Sequence, residues 1–168
     1  MAAIQSLRRN AVYLSAVART LMLTRRVTPD ANLTIVDWVE GWAKTSPDAP
    51  AILHEESVVT YRMLNAGANR YAQWALGQGV TKNDVVALLM ENRPEYVMAW
   101  LGLMKIGGIA ALINTHLMGG PLGHTVGIAN AKHMILHDRL APNLRSVLDT
   151  LENKPVLWVT GNELAKEK

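Results

Sequence analysis

The segment from Asp84 to Asn114, DVVALLMENRPEYVMAWLGLMKIGGIAALIN, constrains the fold most, because every boundary of a strand, helix, strand unit is marked chemically within it. An apolar run from Val85 to Met90 ends at Asn92, which is expected to cap a helix. Pro94 follows at the first helical turn, where its missing N–H is not needed. Glu95 places an acid near the positive end of the helix dipole. Tyr96, Met98, Ala99, Leu101, Leu103 and Ile106 supply apolar positions as far as Gly107-Gly108, where the helix stops. Ile109 to Ile113 then reads as the next buried strand.

The pattern continues. Residues 84 to 90, 109 to 113, 132 to 136 and 155 to 160 read as strands, and 94 to 106, 119 to 130 and about 140 to 151 as helices. Runs that are apolar throughout belong to strands buried on both faces, so the expected fold is α/β, a parallel sheet with flanking helices. Upstream, residues 34 to 44 read as a helix with Ile35, Val36, Val39 and Trp42 or Ala43 on one side. Residues 51 to 54 and 57 to 60 form a hairpin through Glu55-Glu56. A helix from Tyr61 to Gly77 turns Leu64, Ala68, Tyr71, Ala72, Ala75 and Leu76 inward. A chain of 168 residues with 49% hydrophobic content buries a substantial core. With no Phe, its eight Met act as packing residues. The absence of Cys excludes disulfides, thiolate metal sites and cysteine nucleophiles.

The net charge of +3 is unevenly placed. Residues 1 to 29 carry Arg8, Arg9, Arg19, Arg25 and Arg26 and no acid, whereas the remainder holds twelve Lys or Arg against fourteen Asp or Glu. The basic pI therefore belongs to a leader, residues 1–30, and without interleaved aromatic residues it does not indicate nucleic acid. Ile4, Leu7, Ala11, Leu14, Ala18 and Leu21 lay an apolar stripe along a helix flanked by arginines. The uncharged run from Asn10 to Ala18 is far below the ~20 residues that span a bilayer. Contact of residues 4–26 with an anionic membrane surface and packing of the stripe on the body fit equally well, and an Arg-rich acid-free leader also fits mitochondrial targeting. A secretory signal fits poorly, because the apolar core is short and Arg19 follows at once. The expected location is cytoplasmic, or peripheral at a membrane.

Ligands of open parallel sheets bind at the carboxyl ends of strands. Those ends carry Glu91-Asn92-Arg93, Asn114-Thr115-His116, His137-Asp138-Arg139 and Thr160-Gly161-Asn162. Polar residues are needed there in any α/β protein, and none of these groups is by itself a known motif. Neither G-x-G-x-x-G nor G-x-x-x-x-G-K-[ST] occurs. Gly119-Gly120-Pro121 reads more simply as a turn than as an anion-binding helix start. His133 and His137 fall at the two ends of one strand, without a carboxylate at ligand spacing. His116 and His124 are similar cases. Ser57 and Ser146 lack a nucleophile-elbow context.

Taken in order, several short motifs give the body a family resemblance over residues 33 to 160. Val59-Thr60-Tyr61-Arg62-Met63-Leu64-Asn65, with Asn69-Arg70, resembles the L-T-Y-x-x-L element of the adenylate-forming acyl-CoA synthetases. Gly79-Val80 with Asp84-Val85-Val86-Ala87 is similar to their G-V-x-x-G-D-x-V-A. Asn92-Arg93-Pro94-Glu95 is similar to N-x-P-E, and Leu103 to Gly108 resembles the L-K-x-G motif. Ile113-Asn114 with Leu122 and His124 resembles the fatty-acid-transport-protein or very-long-chain branch. Asn83 replaces the Gly before Asp84, an exchange explained by a turn with positive φ. His116 and Met118 stand where this branch often has Asn and Arg.

The resemblance implies an N-terminal, incomplete part of an AMP-binding synthetase domain, residues 31–168. The full-length enzyme uses ATP, Mg and CoA to activate a fatty acid through an acyl-adenylate. The family's phosphate loop, its Thr-Glu motif and its C-terminal lysine have no counterpart in these residues. No catalytic, cofactor-binding or metal-ligating residue is therefore assigned, and the segment alone is expected to be inactive, its partner being the remainder of the synthetase domain. The alternatives are a non-catalytic α/β module that binds a partner or lipid surface, and a small nucleotide binder, disfavoured by the missing glycine loop.

Overall fold

The computed structural model describes residues 2–25 and 33–161, with side chains from residue 10 onward in the first helix. These divide into two compact units, residues 1–35 and 36–168. The first contains α1 (Ala2–Thr24), whose side chains from Asn10 to Arg25 are all exposed. The expected break at Thr28-Pro29-Asp30 and the polar tail from Glu163 to Lys168 lie outside the described residues.

In the second unit α2 (Ile35–Thr45) precedes a hairpin, β1 (Pro50–His54) and β2 (Ser57–Thr60), and then α3 (Tyr61–Gly77). The regular series follows: β3 (Val85–Leu89), α4 (Pro94–Lys105), β4 (Ile109–Leu112), α5 (Gly119–Ala129), β5 (His133–His137) and β6 (Val156–Thr160). The last four strands form one parallel sheet in the order β4-β3-β5-β6. Successive β3 side chains serve opposite faces, as the period of two requires. Ala87 and Leu89, with Met134 and Leu136, meet Leu122, Val126 and Leu144. Val86 and Leu88, with Ile135, lie under Ala75, Val80, Ala99 and Leu103. A third cluster joins Val36 and Val39 of α2 to Val59, Leu64, Ala68 and Leu101.

Several expectations are corrected. Arg93, not Asn92, occupies the N-cap of α4, and it makes no side-chain cap hydrogen bond. The helix expected near residues 140 to 151 is three short pieces: a 3-10 turn at Asp138–Leu140, α6 (Ala141–Arg145) and a 3-10 turn at Leu148–Thr150. The hydroxyls of Ser146 and Thr150 donate to the carbonyls of Asn143 and Val147, competing with the helical ladder there. Gly119-Gly120-Pro121 opens α5 instead of forming a separate turn. β3 and β5 are buried after their first residues, Val85 and His133, which are partly buried; Ile109, Leu112, Val156 and Val159 on the edge strands are exposed, as are Ile35, Trp42 and Leu76. Asn83 does adopt positive φ, 69°.

Candidate functional site

The chain runs from β3 outward to β4 and then back across β3 to β5. The strand order therefore reverses between β3 and β5, and the crevice beyond the carboxyl ends of these two strands is the topological switch point, where open α/β sheets bind ligands. Arg93 follows β3 and His137 ends β5. Their side chains meet there, with 2.6 Å between Arg93 Nη1 and His137 Nε2. A guanidinium only donates, so Nε2 accepts and the imidazole proton resides on Nδ1. His137 Nδ1 faces Asp138 Oδ1 at 3.2 Å, outside good hydrogen-bond geometry, and has no hydrogen-bond partner among the described residues.

His137 and Asp138 are each only 4% exposed. The Asp138 carboxylate also accepts the backbone N–H of Arg139 at 2.7 Å. Its place against the chain depends on Gly161, which follows β6 at φ 117° and whose missing Cβ would collide with that carboxylate. Arg93 is held on its other side by Glu95, 3.6 Å from Nε. Three of the four strand-end groups read from the sequence, those after β3, β5 and β6, thus converge. The fourth group, Asn114, Thr115 and His116, instead lines a cleft of about 250 Å³ together with Asn92 of the group after β3 and with Tyr96. There Asn114 Oδ1 accepts the His116 backbone N–H at 3.0 Å.

The remaining histidines serve other ends. His133, at the opposite end of β5, accepts the Trp158 indole N–H at 3.2 Å within a cluster completed by Trp74. Trp74 and Trp158 also line a groove of about 640 Å³ with Met63, Tyr71, Met98 and Ile135. Burial, reinforced by the charge of Glu95, pushes the Tyr71 hydroxyl up. At the amino end of the sheet, Lys132 and Thr81 hold the Asp84 carboxyl down at about 2, and this cluster caps a turn. The pairing of Arg93 with His137, 44 residues apart, had no sequence signal beyond both lying at strand ends.

The sequence profile of the family described as AMP-binding enzyme matches residues 39–168. The chain belongs to this family. Among the relatives, long-chain fatty acid transport protein 1 of Rattus norvegicus is 32% identical over 157 residues, which is 92% of this chain and 24% of that protein. Medium/long-chain-fatty-acid–CoA ligase FadD6 of Mycobacterium tuberculosis is 32% identical over 124 residues, 74% of this chain and 21% of that one. The N-terminal domain of FACL13 from Mycobacterium tuberculosis superposes with a TM-score of 0.69 at 29% identity, covering 80% of this chain and 35% of that structure. Anthranilate CoA ligase AuaEII in complex with anthranoyl-AMP gives a TM-score of 0.71 at 25% identity, covering 77% and 25%. The chain thus spans about a fifth to a quarter of the length of the curated relatives named here.

Among the described residues no group of three His, Asp or Glu converges on a common metal position. Among the described residues no helix is long and apolar enough to cross a membrane.

Proposed function

We propose that this chain is the N-terminal framework of a long- or very-long-chain fatty acid CoA ligase, which activates its substrate with ATP through an acyl-adenylate, and that it is inactive by itself. The match over residues 39–168 to AMP-binding enzymes, with fatty-acid ligases and transport proteins among the relatives, carries the reading. The chemistry requires preorganised positive charge around the transferring phosphates. Such a cradle needs several donors aimed at one point; of the two strand-end arginines, Arg93 already donates to His137 and Arg139 follows β5.

The surface supports a partner in the form of the remaining synthetase domain. Parallel sheets are ordinarily covered and extended, whereas β4 and β6 leave apolar residues on open edges, which soluble proteins protect. The groove beside Trp74 and Trp158 is a further apolar surface for such chain to cover. The test is ATP-dependent palmitoyl-CoA formation by the chain alone, and by the chain coexpressed with the complementary remainder of FadD6. Activity only in the second arm is expected. Activity of the isolated chain above a heat-killed control overturns the inactivity, and a silent second arm opposes the framework role.

A second reading concerns α1. Its exposed Val12, Tyr13, Leu14, Leu21, Met22 and Leu23 accompany arginines without a single acid, the chemistry of a helix that lies on an anionic lipid surface. Anionic-vesicle co-sedimentation tests it, and the outcome is independent of the ligase assay.

A further inference from the structure

We propose that the outward face of α2, formed by Ile35, Trp38 and Trp42, docks into the interfacial region of a lipid bilayer, among the headgroups and ester carbonyls of zwitterionic lipid. The inference extends the lipid-surface reading of α1 to the body of the chain and rests on that reading only for a tether, so each can fail without the other.

α2 is apolar over more of its circumference than the protein covers. At 3.6 residues per turn, Val36 and Val39 lie about 60° apart and turn inward, where both are buried against Val59, Leu64, Ala68 and Leu101. Ile35, Trp38 and Trp42 fill the adjoining arc, again within about 60° of one another. They stay in solvent, Trp38 with 59% of its surface exposed and Trp42 with 47%. Tryptophan is a middling helix former, so two exposed indoles one turn apart are not explained by the needs of the helix itself.

The place of α2 in the fold shows what leaves it bare. Ala99 and Leu103 of α4 face the sheet, whereas Leu101 faces α2, so the layers run sheet, then α4 with α3, then α2. Strands added at the β4 or β6 edge extend the innermost layer and do not reach the outermost one.

Charge and shape select the occupant. The tryptophan arc carries no charge of its own; Glu40 is engaged by Lys105 and Asp48 by Arg62. Asp37 and Lys44 lie more than about 130° around the helix from the centre of the arc. Nothing on this face draws an acidic or a basic protein surface. An indole has a broad apolar body and a single N–H, which suits the boundary where hydrocarbon meets headgroups. Trp42 is held in advance, its ring stacked on Tyr61 with centroids 5.9 Å apart and planes at 25°, so little freedom is lost on insertion. Residues 25–34, which join α1 to α2, reach at most about 35 Å, so a leader on a lipid surface raises the effective concentration of α2 at that surface.

The experiment mixes the full chain with vesicles of phosphatidylcholine and phosphatidylserine in which part of the phosphatidylcholine is brominated in its acyl chains, and follows tryptophan fluorescence and co-sedimentation. Bromine quenches indoles that enter the bilayer, and all five tryptophans lie beyond α1, so insertion of α1 alone gives no quenching. Quenching of the wild type is expected, and Trp38→Gln and Trp42→Phe should each remove a large part of it. Trp38→Gln should also weaken co-sedimentation severalfold, by a factor that salt leaves unchanged, because it removes an apolar anchor and no charge. The first change is at an exposed site and the second keeps a ring against Tyr61, so both variants should retain the wild-type circular dichroism. Quenching that survives in Leu14→Glu supports α2 as a contact independent of α1. Wild-type sedimentation without quenching overturns the proposal and leaves the α1 reading intact, whereas absence of sedimentation overturns both. Quenching that persists when Trp38→Gln and Trp42→Phe are combined places another face in the bilayer and overturns the proposal. A concentration-dependent dimer in sedimentation velocity, lost in Trp38→Gln while the wild type is not quenched, shows that a second copy covers the face and overturns it as well.

Discussion

Gly102 of α4 lies directly against Ala68 of α3, so that a methyl group on its Cα would stand 2.6 Å from the Ala68 carbonyl oxygen and 2.7 Å from Tyr71 Cβ. This close crossing of the two helices covers one face of the sheet. Gly102→Ala must push them apart, and overpacking of this kind costs about 1–3 kcal/mol. Gly41, in the middle of α2, has nothing within 4 Å of its Cβ position. Gly41→Ala should stabilise by about 0.5–1 kcal/mol through helix propensity. Urea unfolding of the two variants checks the contrast, and equal midpoints would contradict it.

Burial gives a second contrast. Leu88 pairs with Leu112 on one side and Ile135 on the other and is fully sealed from solvent. Leu88→Asp strands a carboxylate among apolar groups, a loss of several kcal/mol, about 4 or more. Met118, at the N-cap of α5, is exposed, and an aspartate there also suits the helix dipole. Met118→Asp should melt within a few degrees of the wild type, while Leu88→Asp should be largely unfolded at room temperature by circular dichroism.

The centre of this fold was legible because β3 and α4 carry their own boundary chemistry: Pro94 starts the helix and Gly107, at φ 73°, lies just beyond its end. Asn92 misled because an Asn before Arg-Pro looks like a cap, yet the chain places Arg93 there. Edge strands were misread for a different reason. Ile109-Ala110-Ala111-Leu112 is as apolar as a central strand, and hydrophobic content alone does not tell whether a neighbour on the far side lies within the same 168 residues. The Arg93–His137 contact was the least accessible, since it depends on β3 and β5 becoming neighbours across an intervening strand and two helices.

Acid should act at Asp84. The Lys132 ammonium, then the Thr81 backbone N–H and hydroxyl, lower its carboxyl from the ordinary 3.8 to about 2. A depressed folded-state pKa stabilises the fold fully above the unfolded value, and the contribution is lost as pH falls from 3.8 through about 2. Asp84→Asn removes that component, so the stability difference between wild type and variant should be constant near neutrality and shrink across this window. Denaturant midpoints measured between pH 6 and 2 test the sign: a gap that widens on acidification would show that Asp84 is not held in this way.

The final prediction concerns α1 at a lipid surface. If its apolar residues enter the headgroup region while arginines meet anionic lipid, vesicles containing phosphatidylserine should sediment the chain and neutral phosphatidylcholine vesicles should sediment less. Salt should weaken only the electrostatic share. Leu14, exposed with 65% of its surface in solvent, is on the apolar stripe with Leu21. Leu14→Glu both removes buried hydrocarbon and adds an anion near that surface, so it should abolish most binding at low and high salt. Ser15→Glu, whose native hydroxyl already donates to the Val12 carbonyl, alters charge without cutting the stripe. Its deficit should shrink as salt screens the added charge. Co-sedimentation of these two variants across a salt series separates the contributions: equal losses at every salt concentration would assign the binding to charge alone, and undiminished sedimentation of Leu14→Glu would remove α1 from the membrane contact.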